Sequence, residues 1–384
     1  MDMWNNSPLE LNSANTAPIG SGPYMISSVS KQSSGIIDSY ELLAFNKFIL
    51  GEPYIKNITL RFYSNEDDLT NALLNNSVDQ ISSITPLNAQ NLKERNYQIE
   101  SSPLPRVFGL FFNQNQNRLF TDKAITGAID KTIDKDRIVR DVLFGYGVPI
   151  SDPIPGSIIP YQKLTGKNDV LSRSDVLQKV ESDLAKDGWV KGTDGFLEKT
   201  TTDKKKKTTT VLQFSIFTSN APELSRTALI IKENLEAIGM KVDVKTFETG
   251  SLNQNVIRTR KYDALLFGEI INHESDLFAF WHSSQRKDPG LNVAMYTNAK
   301  VDKILEDAPT TIDEQSRIKK YADFENEIRK DMPAVFLYSP DFIYVASKNL
   351  KNFNTTIITS PSDRYLEAYL WYTKTDTIWK IFAR

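Results

Sequence analysis

The chain has 384 residues, a length typical of about two or three domains. Its composition, 40% hydrophobic and 24% charged, is ordinary for a globular protein. Its formal net charge of −2 leaves no basic surplus to neutralise phosphates, so we expect no nucleic-acid partner. The chain has no cysteine, which excludes disulfides, thiolate metal sites and a cysteine nucleophile.

The N-terminal part of the chain predicts a strand meander followed by alternating helices and strands. Alternating apolar residues and β-branched enrichment predict strands at 24–30, 37–46, 55–63, 78–83 and 97–103. Apolar residues at helical spacing predict helices at 66–74 and 86–94, the second opening with proline.

Residues 106–113, which read RVFGLFFN, are apolar on both faces and predict a strand that is buried on both sides. Two helices should follow at 120–130 and 135–143, the first capped by Thr121-Asp122. Gly127 should loosen this first helix by about 1 kcal/mol relative to alanine. Proline and glycine then predict an extended loop at 145–160.

The second half of the chain predicts a further series of strands and helices around a lysine-rich hairpin. The hairpin spans 196–212, and its tract TTTDKKKKTTT is interpreted as a solvated tip rather than an anionic-surface contact. Strands are predicted at 211–218, 241–247, 262–267, 333–338 and 341–346, and helices at 174–187, 223–238, 298–307 and 311–330. An aromatic-rich loop should follow the strand at 262–267.

Several motifs along this series resemble one known family. They are Pro18–Tyr24 (PIGSGPY), Glu233–Val244 (ENLEAIGMKVDV), the stretch Tyr262–Val345, and within it Tyr296–Ala308. Together they resemble the family 5 extracellular solute-binding proteins, the oligopeptide, dipeptide and nickel receptors of ATP-binding-cassette (ABC) importers. Each motif is weak alone, but their order and spacing cover nearly the whole chain.

The resemblance implies a two-lobed α/β fold, periplasmic-binding-protein-like (type II, family 5), with mixed sheets and flanking helices. Lobe I would comprise 1–112 and 333–384, and lobe II would comprise 113–332. Relatives place a further section of lobe I before the motif at Pro18–Tyr24, so we expect lobe I to be incomplete and the chain to be a C-terminal portion of a receptor. Residues 1–18 have no signal-peptide pattern. The full-length form should be extracytoplasmic, in the periplasm or attached to the cell surface.

The function implied is the substrate-binding component of an ABC importer that captures an oligopeptide or similar polar solute by hinge closure. Its partners would be a peptide or other small solute and a membrane permease, and the chain should be a monomer without cofactors. The alternative is a truncated homologue acting as a non-transport scaffold or interaction module. An enzyme is not expected, because His273 and His282 are the only histidines and no zinc motif or catalytic triad is apparent.

Three segments are candidates for the ligand cleft implied by the resemblance, and none carries a predicted catalytic or metal-binding role. Asn272 falls where amine-recognising relatives carry an aspartate, and Glu269 or Glu274 would supply that charge if the loop shifts. For the phenylalanines of 106–113, plain core is the competing interpretation. The candidate ligand-binding residues are Ser82, Ser83, Phe108, Leu110, Phe112, Leu266, Gly268, Glu269, Asn272 and His273.

Overall fold

The computed structural model describes residues 12, 15–155, 172–203, 206–353, 358 and 360–373. Residue contacts divide the chain into two compact units: unit 1, Met1–Ser102 with Phe342–Arg384, and unit 2, Pro103–Asp341. The lobe boundaries expected after residues 112 and 332 both lie inside unit 2 and remain a prediction. No helix in the described part of the chain is both long enough and apolar enough to span a membrane.

The strands of the described residues are numbered in chain order. They are β1 Tyr24–Lys31, β2 Ile37–Ala44, β3 Asn57–Arg61, β4 Ile81–Ser82, β5 Gln98–Pro103, β6 Arg106–Phe112, β7 Gly147–Pro149, β8 Val190–Lys191, β9 Leu197–Asp203, β10 Lys206–Val211, β11 Gln213–Ser219, β12 Lys241–Phe247, β13 Ala264–Ile270 and β14 Ala334–Ala346.

The helices are numbered in the same way. They are α1 Glu66–Leu74, α2 Pro86–Glu94, α3 Lys123–Thr132, α4 Lys135–Asp141, α5 Arg173–Lys186, α6 Pro222–Ala237, α7 Thr249–Ser251, α8 Asp276–Trp281, α9 Ala299–Asp307 and α10 Glu314–Asp331. The mixed α/β composition predicted from the sequence is confirmed.

Unit 1 contains the predicted meander as an antiparallel sheet in the order β1-β2-β3. No residue of these three strands is fully buried, although Tyr24 of β1 packs against a small core of this unit. Elsewhere in this unit, β4 pairs antiparallel with the end of β14, with Ser82 opposite Tyr344. A small core forms where Leu350, Ala368 and Trp371 pack together.

Unit 2 is built on a sheet in the order β12-β11-β13-β6-β14, with β7 paired to β14. β11 runs parallel to both β12 and β13, as the predicted β-α-β series requires. β13 and β6 pair antiparallel, as do β6 and β14. The sheet is therefore mixed.

β6 is buried on both faces, as its sequence predicts. Leu110 and Phe112 pack on one face with residues of α3 to α6. Val107 and Phe111 pack on the other face with residues of α8 to α10. Successive side chains of a strand point to opposite faces, so this one strand contributes to two cores.

Several elements differ from the prediction. The strands predicted at 333–338 and 341–346 are one strand, β14, with an irregularity in pairing between Phe336 and Tyr338. The aromatic-rich loop contains the helix α8. The helix predicted from residue 120 begins at Lys123, because Asp122 accepts a hydrogen bond from the Ala124 backbone N–H as its N-cap and a 3₁₀ turn precedes it.

The lysine-rich tract belongs to a hairpin, as predicted. β9 and β10 pair antiparallel, and the hydroxyls of Thr200 and Thr209 lie 2.9 Å apart across them. The described lysines of β10, Lys206 and Lys207, are exposed. The tip at 204–205 lies outside the described residues.

Candidate functional site

Two neighbouring strands of unit 2 carry most of the predicted ligand-binding residues. In the antiparallel pairing of β6 and β13, Gly268 lies opposite Phe108 and Leu266 lies opposite Leu110. These four residues share one face of the sheet, whereas Glu269 points to the other face. The pairing thus brings together residues from two distant parts of the chain, but divides them between two faces.

Three of the predicted residues are fully buried in the core. Leu110, Phe112 and Leu266 all have 0% exposure and belong to the same hydrophobic cluster. Phe112 stacks on Phe120 with ring centres 4.5 Å apart. The interpretation of plain core, which was the alternative for the phenylalanines of 106–113, describes Phe112, and Leu110 and Leu266 lie in the same core.

Phe108 is only partly buried and packs against an aromatic neighbour. Its ring stacks on Tyr338 with centres 4.9 Å apart and planes at 12°. Gly268 lies beneath the same ring, and its lack of a side chain lets the ring contact the strand backbone. Phe108 therefore has less freedom to move than an isolated surface aromatic residue would have.

The loop after β13 exposes Asn272 and His273. Their backbone N–H groups donate to Oδ2 of Asp276 at 2.9 and 3.0 Å, which fixes the loop against the start of α8. The His273 ring interacts with the Ser275 hydroxyl at 3.1 Å. The side chains of Asn272 and His273 are thus held at a surface, where a solute can reach them.

Ser82 and Ser83 belong to unit 1. Ser82 is partly buried in β4, and Ser83 is exposed with a left-handed φ of 63°. A positive φ is uncommon for a residue other than glycine, asparagine or aspartate. The position of Ser83 at the end of β4 is therefore defined by a tight turn of the backbone. The prediction that Ser82 and Ser83 contact ligand stays a prediction.

Glu269 is the most unusual of the predicted residues. Its side chain is 2% exposed, and neither carboxylate oxygen has a hydrogen-bond partner within the described part of the chain. Burial raises the pKa of its carboxyl well above the usual range. A buried ionised carboxylate normally requires a paired charge or a metal ion, so an isolated one takes up a proton.

Glu269 lines a cavity of about 130 Å³ inside unit 2. Liquid water occupies about 30 Å³ per molecule, so this cavity has room for a small polar group. Its walls combine apolar, polar and charged side chains: Ile257, Phe267, Phe280, Leu291, Val293, Asn253, Arg258, Arg260, Glu269 and Asp288, with Pro289 and Gly290.

Both arginines that line the cavity already donate hydrogen bonds to other groups of the protein. Arg258 donates to both carboxylate oxygens of Asp288 at 3.0 and 3.1 Å. Arg260 donates to the backbone carbonyls of Ile257, Arg286 and Gly290. Burial is the cause of the raised Glu269 pKa.

The sequence placed Glu269 among the ligand-binding residues but did not indicate its cavity. Phe280 lies in the aromatic-rich segment interpreted as a loop, and Arg258 and Arg260 follow a π-helix at Leu252–Ile257. One feature of the sequence could have indicated a special environment for Glu269. It is the single acidic residue in the otherwise apolar run ALLFGEII, and charged residues are rarely buried in such a strand unless they are paired.

A second, more open concavity of about 680 Å³ lies elsewhere in unit 2. It is lined by Arg118, Asp122, Trp189, residues of β10 and Gln213. None of the predicted ligand-binding residues lines it. Within the described ranges, no three histidine, aspartate or glutamate side chains are grouped so that they could hold a metal ion.

The sequence matches the family described as "Bacterial extracellular solute-binding proteins, family 5 Middle" over residues 4–289. The chain is similar to the oligopeptide-binding protein AppA of Bacillus subtilis, with 28% identity over 88% of this chain and 59% of that protein. It is also similar to the nickel-binding protein NikA of Staphylococcus aureus, with 24% identity over 92% of this chain and 65% of that protein. The chain thus spans about three fifths of the length of these relatives.

A solved structure of AppA from Bacillus subtilis in complex with a nonapeptide has a similar fold. The TM-score is 0.66 at 25% sequence identity, covering 96% of this chain and 70% of that one. These matches confirm the expected fold class. The chain belongs to the family 5 bacterial extracellular solute-binding proteins.

Proposed function

We propose that this chain is the substrate-binding component of an ABC importer and captures an oligopeptide or a similar extended polar solute. The observation that carries the proposal is the family match over residues 4–289. The relative named as an oligopeptide-binding protein supports a peptide as the ligand. The full-length form would act outside the cytoplasm and deliver its solute to a membrane permease.

The mechanism we propose is capture without a chemical step. A solute that binds better to one arrangement of the two units shifts their equilibrium toward that arrangement. Closure about a hinge is a common form of this change in binding proteins. The exposed side chains of Asn272 and His273 are accessible to polar groups of a solute.

Small-angle scattering of the full chain tests this proposal. The radius of gyration is measured alone and with a pool of random-sequence peptides up to nonapeptides. We expect a smaller radius with peptides than without. An unchanged radius, together with no binding of the peptide pool, would contradict the proposal. A matched pool of N-acetylated, C-amidated peptides shows whether the termini contribute to recognition.

A further inference from the structure

The strand β10 forms one edge of the three-stranded sheet in the order β10-β9-β8. It pairs with β9, and within the described ranges no backbone hydrogen bond joins its other edge to a further group. An unpaired strand edge presents a row of free N–H and C=O groups, which can pair with a strand of another chain. The outer edge of β10 is therefore available for an additional strand.

The pairing pattern identifies the residues that face this outer edge. Val211 lies opposite Glu198, and the next residue, Leu212, donates its N–H to the carbonyl of the first residue of β9 at 2.8 Å. Hydrogen-bonded and non-bonded positions alternate along an antiparallel pair, so every second residue of β10 directs its N–H and C=O away from β9. These residues are Lys207, Thr209 and Val211.

The concavity of about 680 Å³ lies beside this strand, because Thr209 and Val211 are among its lining residues. Leu119, Ile125 and Trp189 give it further apolar surface. Ligand pockets typically measure roughly 300–1,000 Å³, and successive side chains of a strand point alternately to two faces. A strand that pairs with the outer edge of β10 can thus place an apolar side chain in the concavity.

The charges along this surface favour an acidic partner. The stretch Asp203–Lys207 contains four lysines and one aspartate, and Lys206 and Lys207 are exposed. Arg118 is exposed where it lines the concavity. Asp122, an acidic residue of the same lining, already accepts a hydrogen bond from the backbone N–H at the start of α3. Lysine on an edge strand also disfavours pairing with a second copy of the same strand.

We propose that β10 and the concavity beside it bind an extended acidic segment of a partner protein, which adds to the sheet antiparallel to β10. The backbone of this segment bonds to Lys207, Thr209 and Val211. Its carboxylates lie at the lysine end of β10, and an apolar side chain enters the concavity. Addition of a strand to a sheet edge is a common mode of peptide recognition. The inference is independent of the proposed function, because none of the predicted ligand-binding residues lines this concavity.

Fluorescence polarisation of the full chain with a labelled heptapeptide tests the proposal. The peptide begins with leucine, alternates threonine and valine, ends with two aspartates and is blocked at both termini. In an antiparallel addition its aspartates lie opposite Lys206 and Lys207. At low ionic strength we expect it to bind at least about tenfold more tightly than the same peptide with lysines in place of the aspartates. Equal affinity of the two peptides would overturn the proposal.

Two substitutions at one position test the backbone pairing. Thr209→Pro removes an N–H from the outer edge, and proline is tolerated on an edge strand where the N–H faces solvent. Thr209→Ala removes the same side chain and keeps the N–H. We expect the aspartate heptapeptide to bind Thr209→Pro about fivefold or more weakly than Thr209→Ala, as the loss of a hydrogen bond implies. Similar affinities of the two variants would overturn the proposal.

Backbone hydrogen exchange, followed by NMR on the wild-type chain, gives a measurement that needs no variant. When the aspartate heptapeptide is bound, the N–H groups of Thr209 and Val211 gain acceptors, so their exchange should slow. The N–H groups of Thr208 and Thr210 already donate to β9 and should change less. Unchanged exchange at Thr209 and Val211 in the presence of bound peptide would overturn the proposal.

The same variants separate this surface from the site for an imported solute. Thr209→Pro should bind the random-sequence peptide pool as the wild type does. Loss of pool binding in this variant would overturn the assignment of a separate site. Absence of pool binding in the wild type, with intact binding of the aspartate heptapeptide, would refute the proposed function and support this surface alone.

Discussion

The ring of Phe108 lies directly against the backbone of Gly268. A Cβ atom added to Gly268 would be 2.6 Å from Cε1 of that ring, closer than real Cβ atoms approach. Phe108 stacks on Tyr338 on the same face, so its ring cannot move away without disturbing a second aromatic residue.

Gly268→Ala should therefore destabilise the protein. Overpacking of this kind typically costs roughly 1–3 kcal/mol, and chemical denaturation measures the loss in the free energy of unfolding. Gly127→Ala is the matched control, because its Cβ would meet the Met332 side chain at an ordinary 3.6 Å. In helix α3 that change should stabilise by up to about 1 kcal/mol. A Gly268→Ala variant as stable as the wild type would refute the close packing.

Glu325 should make unfolding depend on pH. Its side chain is 4% exposed. Burial and the negative charge of Asp152 raise its pKa from 4.5 to about 8, and the positive charge of Arg329 only partly opposes this rise. The folded protein therefore holds a proton that the unfolded chain releases between these pH values. The contribution of Glu325 to stability is fully present below about pH 4.5 and is lost as the pH rises toward 8.

Glu325→Gln should remove the loss of folding stability that Glu325 causes as the pH rises. Between pH 5 and 8 the unfolding free energy of the wild type should fall relative to the variant by up to about 1.4 kcal/mol per pH unit. Glu327→Gln is the control on the same helix. The hydrogen bond from Lys300 lowers the pKa of Glu327, so its contribution is present above the usual glutamate pKa and disappears only at acidic pH. Parallel stability curves for Glu325→Gln and the wild type across pH 5 to 8 would contradict the prediction.

Asn272→Asp tests the placement of the amine-recognition loop. If this position faces the α-ammonium of a peptide, the new charge should tighten binding of free-amine peptides over N-acetylated ones by roughly 1–3 kcal/mol. Calorimetry with the two peptide forms measures the difference. The new carboxylate also approaches Asp276, so a matched Asn255→Asp variant at an exposed position of unit 2 controls for general charge. An equal response of both peptide forms would show that Asn272 has another role.

Unit 1 should be digested before unit 2. None of the residues of β1 to β3 is buried, and Ile49 and Leu50 are 91% and 64% exposed. Backbone that packs against little else opens easily and is available to proteases. Limited proteolysis followed by mass spectrometry should cut first before residue 102 and after residue 342 and spare the part between them. Cleavage that begins within β6 or β13 would contradict this order.

Local chemistry predicted many elements of the fold well. The bounds of α1 and α2 agree with the prediction because Asn65 and Thr85 cap their first turns and Pro86 opens the second helix. The burial of β6 on both faces followed from its uninterrupted apolar run. In contrast, the prediction divided β14 into two strands, at 333–338 and 341–346. Pro340 pairs opposite Gly147 of the short strand β7, where a missing N–H is tolerated.

The candidate site was less predictable because it depends on contacts between distant segments. Spacing alone cannot decide whether Leu110 and Leu266 face a solute or a core, and the structure has them fully buried. Glu269 was recognised as a candidate from its position in the sequence. Its cavity is formed by segments on both sides of β13, whose arrangement becomes apparent only after folding.

Isothermal titration calorimetry of the full chain with the random-sequence peptide pool tests the central claim most directly. A family 5 binding protein that captures peptides should give saturable heat, with a negative heat-capacity change from buried apolar surface. Absence of saturable heat across the peptide pool, in a chain that is folded by circular dichroism, would contradict the claim that this protein is a peptide receptor.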